Sequence, residues 1–133
     1  MKIATAVRSA MAQALLSAFA EGTTNLPKIE VYDGTIPGNI GDAFANTLLC
    51  SFELDPAVGT ESNGVITFGP IQPDVSPPAS GTAAWARLLD RDGAEKAYMT
   101  VSEVPGSDIT LSTTAIVAGE PVSLTSGSVA VGA

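Results

Sequence analysis

The chain has 133 residues, 45% of them hydrophobic and only 15% charged, with 14 acids against 6 basic residues and a formal net charge of −8. That length fits one domain with a core of its own, which needs neither a disulfide nor a metal to fold. One cysteine and no histidine exclude an intramolecular disulfide and any histidine-assisted nucleophile. The cations Lys2, Arg8, Lys28, Arg87, Arg91 and Lys96 are scattered, so the acidic chain opposes direct nucleic-acid binding. Charged residues ordinarily make up about a quarter of a soluble domain, so part of the uncharged surface is expected to be covered by neighbours.

Residues 2–21 predict an amphipathic helix. Ile3, Val7, Met11, Leu15 and Phe19 recur at four-residue steps, Ala14 and Ala18 fill the same side, and Gly22 supplies the stop. Lys2 and Arg8 ahead of an apolar stretch ending Ser17-Ala18-Phe19-Ala20 also have the outline of a secretory signal. The periodicity favours the helix, and the segment is too short and too polar to span a membrane. Val7, Met11, Leu15 and Phe19 are the candidate protein interface. Their stripe has to be covered, by the chain's own sheet or by a neighbouring subunit. The organisation expected is an N-terminal helix, 1–22, followed by a single β-rich domain, 23–133.

From Lys28 the pattern changes to strands and turns. Lys28-Ile29-Glu30-Val31-Tyr32 alternates at period two, and Asp33-Gly34 and Pro37-Gly38 punctuate a loop with one helical turn over 41–46. Residues 47–54 form a strand with Leu48, Cys50, Phe52 and Leu54 on one face, which makes Cys50 a buried, inert thiol. Residues 55–63 read as a loop and 64–68 as a strand. Pro70, Pro73, Pro77 and Pro78 then mark an extended crossing at an edge or end of the sheet. A hairpin over 82–102, strands over 108–114 and 115–117, and a last strand system over 122–131 complete the chain. Val122 and Leu124 differ in parity from Val129 and Val131, which predicts a bulge near Ser126-Gly127. Seven or eight short strands make the fold mainly β: a β-sandwich or jelly-roll-like domain with an N-terminal amphipathic helix.

The hairpin admits two registers. Asp90-Arg91-Asp92-Gly93 suits a type I turn followed by a left-handed glycine. That three-residue loop pairs Asp90 with Ala94, Trp85 with Met99 and Arg87 with Ala97, and turns Trp85 inward beside Leu89, Met99 and Val101. A two-residue loop at Asp92-Gly93 places Trp85 opposite Thr100 and Arg87 opposite Tyr98. The large amphipathic residues then gather outside as an interface cluster. The turn residues favour the first register, with Trp85 in the core.

Catalytic signals are weak. Counted from Asp90, the sixth residue is Glu95 and the twelfth Val101, which does not fit a calcium-binding EF-hand loop. Gly34, Gly38 and Gly41 lack the lysine of a phosphate loop. Asp33, Asp42, Glu53, Asp55 and Asp74 would serve two-carboxylate glycoside hydrolysis only if the fold converged them. Acids at turns and strand ends read first as solvating residues. No residue is assigned a catalytic, cofactor-binding or metal-binding role, and no cofactor is expected.

The order of the helix, Tyr32-Asp33-Gly34-Thr35-Ile36-Pro37, Leu48-Leu49, Asp55-Pro56-Ala57, Gly64-Val65-Ile66, the stretch from Gly81 to Gly93, Ser107-Asp108-Ile109-Thr110-Leu111 and Ile116 to Leu124 resembles small virion proteins of tailed phages, of the capsid decoration or cement type. The likeness covers nearly the whole chain, through strand and turn pieces that are individually generic. It implies a non-enzymatic protein on the outer head surface of a virion. Its partners would be the major capsid protein and copies of itself, as a dimer or trimer, with no direct nucleic-acid or membrane contact. A tail, neck or baseplate component and a carbohydrate- or receptor-binding β-sandwich are the alternatives. Strand addition at a sheet edge, near Lys28 or Val129, is the expected docking mode, with many copies multiplying a modest contact.

Overall fold

The structure, a computed structural model, describes residues 1–131; Gly132 and Ala133 lie outside the described residues. These form one helix, α1 (Thr5–Phe19), and ten strands: β1 (Lys28–Tyr32), β2 (Leu48–Glu53), β3 (Gly59–Ser62), β4 (Val65–Phe68), β5 (Gly81–Thr82), β6 (Trp85–Leu89), β7 (Glu95–Ser102), β8 (Ile109–Leu111), β9 (Ala115–Ile116) and β10 (Leu124–Ala130). Eight strands make one sheet in the order β2-β1-β6-β7-β8-β10-β4-β3, and β5 pairs with β9 apart from it. The pairs are antiparallel except β7 with β8. Register aligns Val31, Ala86 and Met99 across three strands, and Ile29, Leu88 and Ala97 beside them. The sheet curls, so this row meets Ile66, Phe68, Ile109 and Leu111 from the other half in one core. The fold is mainly β and sandwich- or jelly-roll-like, with one N-terminal helix.

Helix α1 closes the open side of the curl by lying against β3 and β4. Glu61 clamps its first half: Ser9 Oγ donates to Glu61 Oε1, Gln13 Nε2 to Oε2 at 3.1 Å, and the Gly64 N–H to Oε1 at 3.0 Å. The hairpin turn at 90–93 grips its exit. Asp92 Oδ1 accepts the Thr23 and Thr24 amides at 3.2 and 3.3 Å, and the Arg91 N–H donates to the Glu21 carbonyl at 2.9 Å. Gly22 has φ +103, and a Cβ there would fall 2.6 Å from the Asp92 carboxyl carbon. This position therefore needs glycine for both conformation and space. The helix is shorter at both ends than the predicted 2–21.

Both clamping carboxyls titrate below their ordinary range. Hydrogen bonds from Ser9 and then Gly64 lower Glu61, and those from Thr24 and Thr23 lower Asp92. A carboxyl depressed in the folded state contributes stability that is complete above its unfolded value. That contribution is lost as pH falls through the lower folded value. Acidification through the ordinary carboxyl range and below is thus expected to loosen α1 at both ends before the sheet. Amide exchange against pH checks this: protection in α1 should fall while that of β1, β6 and β7 persists. Glu61→Gln should reduce the pH dependence of the first half of the helix.

Several local expectations are corrected. The predicted loop at 55–63 contains β3, joined to β4 through Asn63 (φ 52) and Gly64 (φ 84), with Ser62 opposite Val65. Two consecutive positive φ values are the requirement of a type I′ hairpin turn, and Asn-Gly is its preferred pair. Residues 41–46 are not helical. The Asn46 side-chain amide instead donates to the Asp33 and Thr35 carbonyls at 2.5 and 3.3 Å, holding the loop extended. The bulge in β10 falls between Leu124 and Ser126, just before its predicted place, and Thr125 Oγ1 donates to the Thr110 carbonyl at 3.1 Å. Lys28 and Val129 lie on β1 and β10, which are interior strands; the edges of the sheet are β2 and β3.

Candidate functional site

The hairpin β6–β7 combines both predicted registers. Its loop is the three-residue form: the Asp90 N–H donates to the Ala94 carbonyl at 2.9 Å and the Gly93 N–H to the Asp90 carbonyl at 3.1 Å, with Gly93 at φ 85. Leu89 then pairs with Glu95 but Leu88 with Ala97, leaving Lys96 as the extra residue. One inserted residue turns the rest of the strand over. Trp85 therefore lies opposite Thr100 and Arg87 opposite Tyr98, on the outer face. The expectation that Trp85 joins Met99 inside is corrected, although Trp85 is only 1% exposed.

What buries Trp85 is a second, outer core. Tyr32 stacks on it at 4.9 Å and 20°, and Phe44 and Tyr98 meet it edge-on, each at 5.1 Å. The Arg87 guanidinium lies 5.5 Å from the Tyr32 ring centre and 5.3 Å from that of Phe44. It pairs with Glu30 at 2.7 Å and Glu95 at 3.1 Å. The polar tips are also satisfied. Trp85 Nε1 donates to the Asp33 carbonyl at 3.1 Å, Tyr32 Oη to Glu30 at 2.9 Å and Tyr98 Oη to Glu95 at 2.9 Å. Burial first, then the Glu30 hydrogen bond and charge, push the Tyr32 pKa up to about 12 against the opposing pull of Arg87. The cluster pins the 33–47 loop onto the sheet, helped by the Gly41 N–H donating to Tyr98 Oη at 3.3 Å. Trp85 and Tyr32 turn their faces to each other, so they offer no open platform for stacking a sugar.

The five acids considered for hydrolysis divide into two places. Asp33 and Asp42 brace the 33–47 loop, accepting the Thr47 amide at 2.8 Å and the Asn39 amide at 3.0 Å. Glu53, Asp55 and Asp74 line one groove beside β2. Among the described residues no group of three acidic or cysteine side chains is placed to hold a metal ion, and no helix is long and apolar enough to cross a membrane. Cys50 is buried; burial first, then the Asp74 charge, push its pKa up to about 12. It is therefore protonated at neutral pH.

The predicted interface stripe divides. Phe19, 1% exposed, and Ala12 are part of the core, and Leu15 and Leu16 pack partly buried against it. Val7 and Met11 remain 51% and 42% exposed. Around them the outward positions are Ala6, Ala10, Ala14 and Ser17. Arg8 is the only charged residue of α1, and it leans on the β3–β4 turn, where a Cβ on Gly64 would come within 2.8 Å of its own Cβ. The outward face therefore carries no charge, whereas a solvated surface helix presents charged and polar residues there.

No family model, curated protein or solved structure matches this chain. Its surfaces must therefore be read from their own chemistry. The uncharged face of α1 is the strongest candidate contact surface. The outer aromatic cluster is a device for holding a loop. Glu30 was visible in the sequence as the outward neighbour of Tyr32 on an alternating strand. Phe44 shares its loop with Ile36 and Ile40, which stay exposed, so nothing in the sequence marked it as the one that turns onto the indole.

Proposed function

We propose that the protein is a non-enzymatic structural component of a phage virion, decorating or cementing the outer capsid shell by contact with the major capsid protein and with copies of itself. The observation that carries the contact is the outward face of α1. Its inner face is packed within the chain, its ends are clamped by Glu61 and Asp92, and Val7 and Met11 stand exposed on a surface without charge. A rigid apolar platform of small residues suits close packing against another protein, and repetition over a shell multiplies it. The resemblance to small virion proteins supplies the shell as the setting.

The Val7→Lys/Met11→Lys double variant tests this reading. It is expected to fold within about 0.5 kcal/mol of the parent, as exposed substitutions do. Its co-sedimentation with shells of the cognate major capsid protein should fall at least about tenfold, the scale of losing a central apolar contact. Undiminished binding would place the contact elsewhere. A parent protein that stays monomeric by light scattering and does not sediment with shells would end the shell reading.

A further inference from the structure

One stretch of sheet edge, at β2, opens onto a groove. At the other end of the sheet, α1 packs against β3 and β4 through the Glu61 side chain. At β2, the Ser51 N–H points out of the sheet and donates to Asp74 Oδ2 at 3.0 Å. Backbone groups of an antiparallel edge strand alternate between partner and solvent. By that alternation Phe52, opposite Ile29, faces inward, and so does Leu54, whose N–H donates to the Pro27 carbonyl at 2.8 Å. The N–H and C=O of Glu53 between them consequently face outward, into a groove of about 630 Å³. Pro70 and Pro73 form part of its lining, with Val75, 67% exposed, beside them. Glu53, Asp55 and Asp74 line the groove and no lysine or arginine does. Lys28 and Arg91 line a neighbouring groove that shares Leu26 and Glu53, so the field favours cations on the proline side alone.

We propose that this edge takes an extended, lysine- or arginine-bearing segment of a partner protein as an added strand beside β2. Open strand edges are templates for such pairing unless blocked. The Glu53 backbone aligns the segment, its basic side chains meet Glu53, Asp55 and Asp74, and its apolar side chains lie along the prolines and Val75. The sign of the charge selects the partner and the backbone supplies the register. Any protein with such a segment fits, whether or not it is a shell protein.

A titration of the whole chain followed by NMR, with a short end-capped peptide alternating valine and lysine, tests the site. Shifts are expected to centre on the amides of Ser51, Glu53 and Asp55, and the same peptide with glutamate for lysine should not bind. Glu53→Pro removes the groove-facing N–H together with one of the three groove carboxylates, a backbone change that an edge strand tolerates, and should weaken binding at least about tenfold. Glu53→Lys keeps the backbone and reverses the charge, with a similar loss expected. It carries the test if the proline variant misfolds. No binding of the basic peptide, equal binding of the acidic one, shifts centred away from β2, or undiminished binding by folded Glu53 variants would each overturn the proposal.

Discussion

Trp85→Ala is expected to lower stability by about 3–5 kcal/mol, the usual cost of deleting a buried large aromatic side chain. Trp85 is in contact with Tyr32, Phe44 and Tyr98 at once, and such ring pairs contribute about 0.5–1.5 kcal/mol each beyond the area they bury. The change should also release the 33–47 loop, because Phe44 and the Asp33 carbonyl both rest on the indole. Urea denaturation gives the first result, and faster exchange of the Gly41 amide the second. Trp85→Phe, which retains a ring but loses the Asp33 hydrogen bond, should cost distinctly less. A loss under about 1 kcal/mol for the alanine variant would mean that the outer cluster contributes little beyond an ordinary surface site.

Phe19→Ala should match it in size, at about 3–5 kcal/mol, by a different route. Phe19 is the largest core side chain supplied by α1, and its loss leaves a cavity where the helix closes the curled sheet. Loss of helix protection in hydrogen exchange should accompany the drop in denaturation midpoint. Met11→Ala and Val7→Ala, on the outward face, are expected to stay within about 0.5 kcal/mol of the parent. Equal costs at Met11 and Phe19 would contradict the division of the stripe into inner and outer residues.

That division shows where sequence reading stops. The helix was legible from its periodic apolar residues, but a four-residue step exceeds the helical repeat and rotates the stripe by about 40° each time. From Val7 to Phe19 the drift is about 120°, enough to carry one end of the stripe into solvent while the other is buried. Ala12 and Leu16 fill the inner line in between. The turn at Asp90-Arg91-Asp92-Gly93 was equally legible, but the bulge was not. Lys96 is the extra residue there, and its ammonium meets Glu21 at 2.9 Å and Asp90 at 3.5 Å, tertiary contacts invisible to local pattern. By contrast the β3–β4 hairpin carried its signal openly in Asn63-Gly64. The strand before it, Gly59-Thr60-Glu61-Ser62, has no apolar residue to suggest a strand. Its inward role is polar, through the Glu61 clamp.

The order of the sheet has a consequence for how the chain is assembled. β10 lies between β8 and β4 and is hydrogen-bonded to both, yet it follows every other strand in chain order. Until residues 124–130 take their place, the strands already made form two separate rafts, β2-β1-β6-β7-β8 and β4-β3, with facing edges unpaired. β10 acts as a keystone. Such non-local closure makes for slow folding, on the order of milliseconds to seconds, and a nascent chain must carry two sticky borders until its final strand arrives.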